Sequence, residues 1–123
     1  MSSIPKISDA EWQVMQVLWT QAPLNAAEVV QQLADQHDWS PRTVKTMLSR
    51  LVQKGALTFT QEGNRYLYRP MVTQPDCIRD ASKSFFSRVF SGDTQLLLAH
   101  LVEAGKLSSE DIEMLKKTLE DKE

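Results

Sequence analysis

A mainly α chain with one small β-hairpin is what this sequence predicts, and three observations carry that reading. Helix-start signatures stand at three places in the first half, each followed by apolar residues at helical spacing. After Gly55 the apolar period shortens to two about a polar turn. From residue 73 helical spacing returns and continues to the last residues. The 123 residues, 41% hydrophobic and 24% charged, suit one compact domain or one small domain with an appended element. They are too few for a doubly wound nucleotide-binding enzyme with a separate substrate domain.

Ser8-Asp9-Ala10-Glu11 is a capping box, in which the hydroxyl accepts from the backbone three residues on and the carboxylate reaches back. Trp12, Met15, Val17 or Leu18, and Trp19 then follow at helical spacing until Pro23. A second box, Asn25-Ala26-Ala27-Glu28, opens a helix with Val29, Val30 and Leu33 inward, expected to end near Gln36 to Asp38. Ser40-Pro41 opens a third: an N-cap hydroxyl, then proline where its missing N–H costs nothing. Val44, Met47, Leu48, Leu51 and Val52 mark its buried face, and Lys54-Gly55 closes it with a cation and a left-handed cap. Leu57, Phe59, Tyr66 and Tyr68 alternate about Gln61-Glu62-Gly63-Asn64, a hairpin in which Gly63 and Asn64 can take positive φ; Pro70 ends its second strand. Thr73 or Gln74 with Pro75 opens a helix containing Ile78, Ala81, Phe85, Phe86, Val89 and Phe90, broken at Ser91-Gly92. Asp93 caps the next, expected over 94–104 and stopped by Gly105. Ser108-Ser109-Glu110-Asp111 starts the last, with Ile112, Leu115 and Leu119 one turn apart.

Three helices and a hairpin, in that order, are the plan of a winged helix-turn-helix, with the third helix as the one that enters a major groove. Its outer face carries Arg42, Thr43, Lys45, Thr46, Ser49, Arg50 and Gln53, three cations and no anion. Arginine can read guanine bidentately, and threonine can offer a hydroxyl to a base edge or a methyl to thymine. Thr46 and Arg50 are the candidates for base readout, and Arg42, Lys45 and the wing's Arg65 for phosphate; Tyr66 packs or contacts phosphate. From Trp39 to Arg69 six cations face one anion, Glu62, whereas from Gln74 onward seven cations face ten anions. A basic middle beside an acidic tail fits one polyanion-facing surface and one region with another task.

That boundary divides the chain into a DNA-binding domain, residues 1–72, and a helical domain, 73–123. Phe85, Phe86, Phe90, Leu97, Leu98, Leu101, Ile112, Leu115 and Leu119 are more apolar residues than three short helices can hide alone. They either pack back onto the winged domain or bury against a second copy; the second, which is favoured, would make this the dimerisation domain and would set two reading helices facing a palindrome.

Other function classes find little support. No apolar run approaches the ~18 residues that span a bilayer, and the first residues lack a signal-peptide plan, so the cytoplasm and no membrane partner are expected. Cys77 alone makes neither a disulfide nor a Cys cluster, and His37 and His100 stand in no catalytic motif, so neither enzyme, cofactor nor metal site is expected. Trp12, Trp19 and Trp39 read as packing residues. Two alternatives stay open: a winged helix that binds another polypeptide, and a small-ligand-gated regulator, which needs an apolar pocket at the domain junction.

The residues carry a resemblance over nearly the whole chain. Ile7-Ser8-Asp9-Ala10-Glu11-Trp12 with Val14-Met15 and Leu18-Trp19, then Trp39-Ser40-Pro41-Arg42-Thr43-Val44-Lys45-Thr46, Leu48, Arg50-Leu51, Lys54-Gly55, and Gly63-Asn64-Arg65-Tyr66 with Tyr68, resemble the BlaI/MecI/CopY family of bacterial repressors. The resemblance implies a dimeric winged-helix repressor that sits on palindromic promoter operators until an inducing signal, with its C-terminal helices as the dimerisation domain. The signal's bearer, a protease or a small ligand, is not implied. Copper-responsive members carry a C-terminal cysteine cluster, and no cysteine follows Gly105 here. Antibiotic-responsive members are cut between an asparagine and a phenylalanine, and His100-Leu101 stands at that place.

Overall fold

Ser8 stops the N-terminal segment from joining the first helix. Its backbone is extended, its hydroxyl accepts from Glu11 N, and Glu11 Oε1 accepts from Ser8 N in return. In the computed structural model, which describes residues 4–122 (the side chains at 115, 116 and 118–122 excepted), this box opens α1 (Asp9–Thr20). Asn25 opens α2 (Ala26–Leu33) by the same reciprocal pair with Glu28. Ser40 opens α3 (Pro41–Gln53) with proline at its start.

Helix α2 is shorter than its polar tail suggested. Gln36 N and His37 N both donate to Leu33 O, so the chain leaves helical geometry and continues in turns. Ala34, Asp35 and Gln36 are exposed and hold no inner face against the core, while Trp39 beyond them packs onto it.

Gly55 ends α3 at φ 85°, with Gly55 N bonded to Val52 O and Ala56 N to Leu51 O. This left-handed cap turns the chain directly into β1 (Leu57–Glu62), which pairs antiparallel with β2 (Arg65–Pro70). In the turn Gly63 alone has positive φ, 60°, and Asn64 does not. That is the pattern of a hairpin with glycine at its first central position.

Val14, Met15, Leu18, Val29, Leu33, Val44, Leu48, Leu51 and Leu57 form one core, closed by Ala56 and Met47. Trp19 packs against it and donates from Nε1 to Val72 O at 2.9 Å, tying α1 to the chain beyond the wing. Trp39 packs there too, its ring stacked on His37 at 4.1 Å. Beyond the wing run α4 (Gln74–Phe90), α5 (Thr94–Glu103) and α6 (Ser109–Lys122). Asp93 caps α5 by accepting from Gln95 N and Leu96 N, and Ser108 exchanges bonds with Asp111 ahead of α6. The chain forms two compact units, residues 1–80 and 81–123, divided within α4.

One polar contact inside the first unit escapes any local pattern. Glu11 is 3% exposed, and Lys54 Nζ binds its Oε1 while also donating to Lys6 O at 2.9 Å. Burial pushes the Glu11 carboxyl up, but the bond from Lys54, the two from Ser8 and the lysine's charge outweigh it and hold it below the ordinary glutamate value. A depressed folded-state pKa stabilises the fold fully above the unfolded value and ceases to do so as pH falls through the folded one. Glu11→Gln should therefore cost about 1–3 kcal/mol at about pH 7 and less at an acidic pH well below the ordinary glutamate value. Urea midpoints of both proteins at the two pH values, at one fixed protein concentration, measure it; equal losses at both would show that the carboxylate charge is not what matters.

Candidate nucleic-acid interface

The outward face of α3 is built by subtraction. Val44, Met47, Leu48 and Leu51 are buried, so the residues between them must look away from the core. Arg42, Thr43, Lys45, Thr46, Ser49 and Arg50 are all exposed and fall on that side. None of the cations forms an ion pair among the described residues, whereas Lys54, one turn beyond Arg50, is bound to Glu11.

Two hydroxyls of this face are already engaged. Ser40 Oγ accepts from Thr43 N at 3.1 Å and lies 3.0 Å from Thr43 Oγ1. Thr46 Oγ1 donates to Arg42 O at 3.0 Å, so its proton is held by the helix and its oxygen is left as an acceptor. A short, exposed, acceptor-only hydroxyl with a methyl group suits a base edge that presents a donor or a methyl.

The wing is rooted by a contact the sequence does not display. Tyr68 N donates to Leu24 O at 2.8 Å and Leu24 N to Tyr68 O at 3.3 Å, which makes Leu24 a one-residue third strand beside β2. Met71 N donates to Ala56 O at 2.8 Å and closes the base of the hairpin. A single apolar residue between Pro23 and an N-cap is too short to show alternation. The rooted wing carries two arginines in different states. Arg69 Nη1 donates to Thr60 Oγ1 at 2.9 Å and is partly buried, whereas Arg65, at the turn, is exposed and makes no ion pair among the described residues. Tyr66 is exposed with its ring stacked on Phe59 at 4.4 Å, and burial raises the Tyr68 hydroxyl above the ordinary tyrosine value, followed by the effect of Tyr66.

Lys45 of α3 and Arg65 and Tyr66 of the wing border one cleft, so α3 and the wing each bring a cation to the same side of the first unit. The apolar candidates belong to the second unit: Phe85, Leu98 and Ile112 are exposed, while Phe86, Phe90, Leu97 and Leu101 are half-buried. Leu115 and Leu119 have side chains outside the described ones. Among the described residues no group of His, Cys, Asp and Glu is placed to hold a metal. Cys77 is buried, and that burial, with Asp76 and Asp80 nearby, raises its thiol pKa.

Comparison with known proteins bears on the family and the fold. The chain matches the family model described as penicillinase repressor over residues 7–121. It is 40% identical to the penicillinase repressor of Bacillus licheniformis over 121 residues, covering 98% of this chain and 94% of that one. It is 32% identical to the methicillin resistance regulatory protein MecI of Mammaliicoccus sciuri, covering 95% of each. Among solved structures, the DNA-binding domain of the repressor BlaI matches with a TM-score of 0.55 and 45% identity, over 62% of this chain and 93% of that one. The monomeric form of B. licheniformis BlaI in complex with the blaP half-operator matches with a TM-score of 0.53, also at 45% identity. The first unit is thus a winged helix-turn-helix, and the chain belongs to the penicillinase repressor family.

Proposed function

We propose that this chain is a sequence-specific DNA-binding transcriptional repressor that works as a homodimer on palindromic promoter operators, with residues 1–72 reading DNA and 73–123 joining the copies. It has no catalytic role and acts where the operators are, in the cytoplasm. The observation that carries the reading is the exposed, anion-free face of α3 beside the cationic tip of the wing. An ordinary solvated helix face mixes both signs. Relatives in the same family include one solved on a half-operator.

The roles divide by chemistry. Arg50 and Thr46 read base edges, Thr46 as an acceptor or through its methyl group. Arg42, Lys45 and Arg65 hold phosphates, Thr43 and Ser49 let the backbone come close, and Tyr66 flanks the rail with its hydroxyl. Arg69, tied across the hairpin, is a structural residue of the wing.

Dimerisation rests on the second unit. From residue 81 onward none of the described side chains is buried, and Phe85 (49% exposed), Val102 (57%) and Ile112 (39%) stand open. A matching face on a second copy covers such a surface without any further component. Two linked reading heads then bind half-sites one helical turn, about 34–36 Å, or a multiple apart.

With an operator selected from a random duplex pool, Arg50→Ala should lose about 1–3 kcal/mol at the cognate site and relax the preference at one position of each half-site. Lys45→Ala should weaken every duplex alike and reduce the slope of log affinity against log salt by about one. An Arg50 variant that keeps its full operator preference refutes the base-reading assignment, and no duplex binding by the parent protein at low salt refutes the whole reading. Leu98→Asp should sediment as a monomer and bind the full operator about 10²-fold or more weakly, with half-site affinity unchanged; a variant that remains dimeric overturns the assignment of that face.

A further inference from the structure

Between the first turn of α2, the start of α3 and the wing lies a cleft of about 590 Å³ within the first unit. That volume falls inside the range of about 300–1,000 Å³ typical of small-molecule sites. Its lining combines aliphatic side chains, Ala27 and Val30, with the rings of Tyr66 and Tyr68 and the cations of Lys45 and Arg65. Among the described residues no carboxylate borders it.

The walls are held in place. Tyr68 is fixed through both its backbone bonds to Leu24, and the Tyr66 ring is stacked on Phe59. Ala27 and Val30 lie on a helix whose start is locked by the box of Asn25 and Glu28. The cleft therefore exists before anything enters it, which spares an occupant the cost of ordering it.

The lining specifies an occupant more narrowly than charge alone. A phosphodiester needs the two cations and gains nothing from Val30 or from the faces of two tyrosine rings. A neutral aromatic would use the rings and leave both cations solvated. A flat aromatic body ending in a carboxylate uses every part: ring against ring and aliphatic carbon, and charge against Lys45 and Arg65.

We propose that this cleft binds a planar aromatic carboxylate and that its occupancy excludes duplex DNA from Lys45 and Arg65. The second half rests on the DNA-binding reading above, and the first half does not. Because Lys45 and Arg65 serve both partners, the two compete for the same atoms, and the carboxylate acts as an inducer by displacement.

The test uses the full-length chain and 1-naphthoate as the probe. In ¹⁵N-resolved NMR titrations, saturable shifts are expected at the amides of Ala26, Ala27, Val30, Tyr66 and Tyr68, with half-saturation at about 0.1–1 mM. The uncharged 1-naphthamide should bind at least about tenfold more weakly, and acetate, which carries the charge without the ring, should produce no saturable shifts. Ala27→Phe, and the milder Ala27→Leu, fill the cleft from a position outside the proposed DNA contacts and should abolish or weaken the naphthoate shifts in a spectrum that remains dispersed. In duplex titrations, naphthoate at ten times its dissociation constant should raise the apparent Kd about tenfold for a half-site duplex and about a hundredfold for the full operator, with acetate at equal concentration as the salt control.

Absence of saturable shifts, equal binding by the amide, or shifts that survive in both Ala27 variants overturns the cleft as a carboxylate site. Naphthoate binding that leaves the operator titration unmoved overturns the exclusion alone. A parent chain that takes up naphthoate yet binds no duplex sinks the DNA reading and the exclusion together, while the cleft stands.

Discussion

Helix α3 can hold a row of polar side chains away from the protein only because its opposite row is wholly committed to the core. Val44, Leu48 and Leu51 are fully buried and Met47 nearly so, and no rotation of the helix keeps them there while turning Arg42, Lys45 and Arg50 inward. Both ends are fixed as well. Ser40 sets the entry, and at the exit the left-handed Gly55 and the bond from Lys54 to Glu11 tie the last turn to the first turn of α1. A reading surface needs this kind of immobility, since a helix free to roll by one position would exchange its whole face.

Charge within this unit is sorted by the same constraint. A window from Trp39 to Arg69 contains six cations, yet two of them serve the fold: Lys54 neutralises a buried carboxylate and Arg69 bonds across the hairpin. The four left to face a polyanion are Arg42, Lys45, Arg50 and Arg65, three along one helix face and one at the wing tip. Counting along the chain overstates the electrostatic footprint by the one charge that Glu11 cancels, while Arg69 keeps its charge but is held across the hairpin, because a cation's availability depends on what lies across the fold from it.

This separates what was legible in the sequence from what was not. Capping boxes at Ser8 and Asn25, the Ser40-Pro41 start and the Gly55 stop are local events within four or five residues, and each appears in the fold where the residues placed it. The hairpin was equally legible from the alternation of Leu57, Phe59, Tyr66 and Tyr68. The misses are non-local or hang on a choice between equals. Leu24 joins β2 across some forty positions, and Glu11 meets Lys54 across forty-three. In the turn, Gly63 takes the positive φ and Asn64 does not, a choice between two permissive residues that composition leaves open. The early end of α2 follows from the need to bring Trp39 back to the core, which no window over Ala34 to Asp38 contains. On the reading face the residue types were visible, but not that the Thr46 proton is already held by Arg42 O.

Sharing of Lys45 and Arg65 between a ligand and DNA, as proposed, would set how such a repressor is released. Control through a distant site needs a bistable element whose two states differ in affinity for both ligands. Lys45 and Arg65, proposed to hold phosphates, line the cleft, so displacement under that proposal would need no second conformation, only differential occupancy of one set of charges. In a two-fold assembly the effect is amplified. Losing one of two linked half-sites would also remove the advantage of effective concentration in the proposed dimer. A weak ligand, present in excess, would then lift the proposed dimer from its operator, with the core-facing row of α3 left in place.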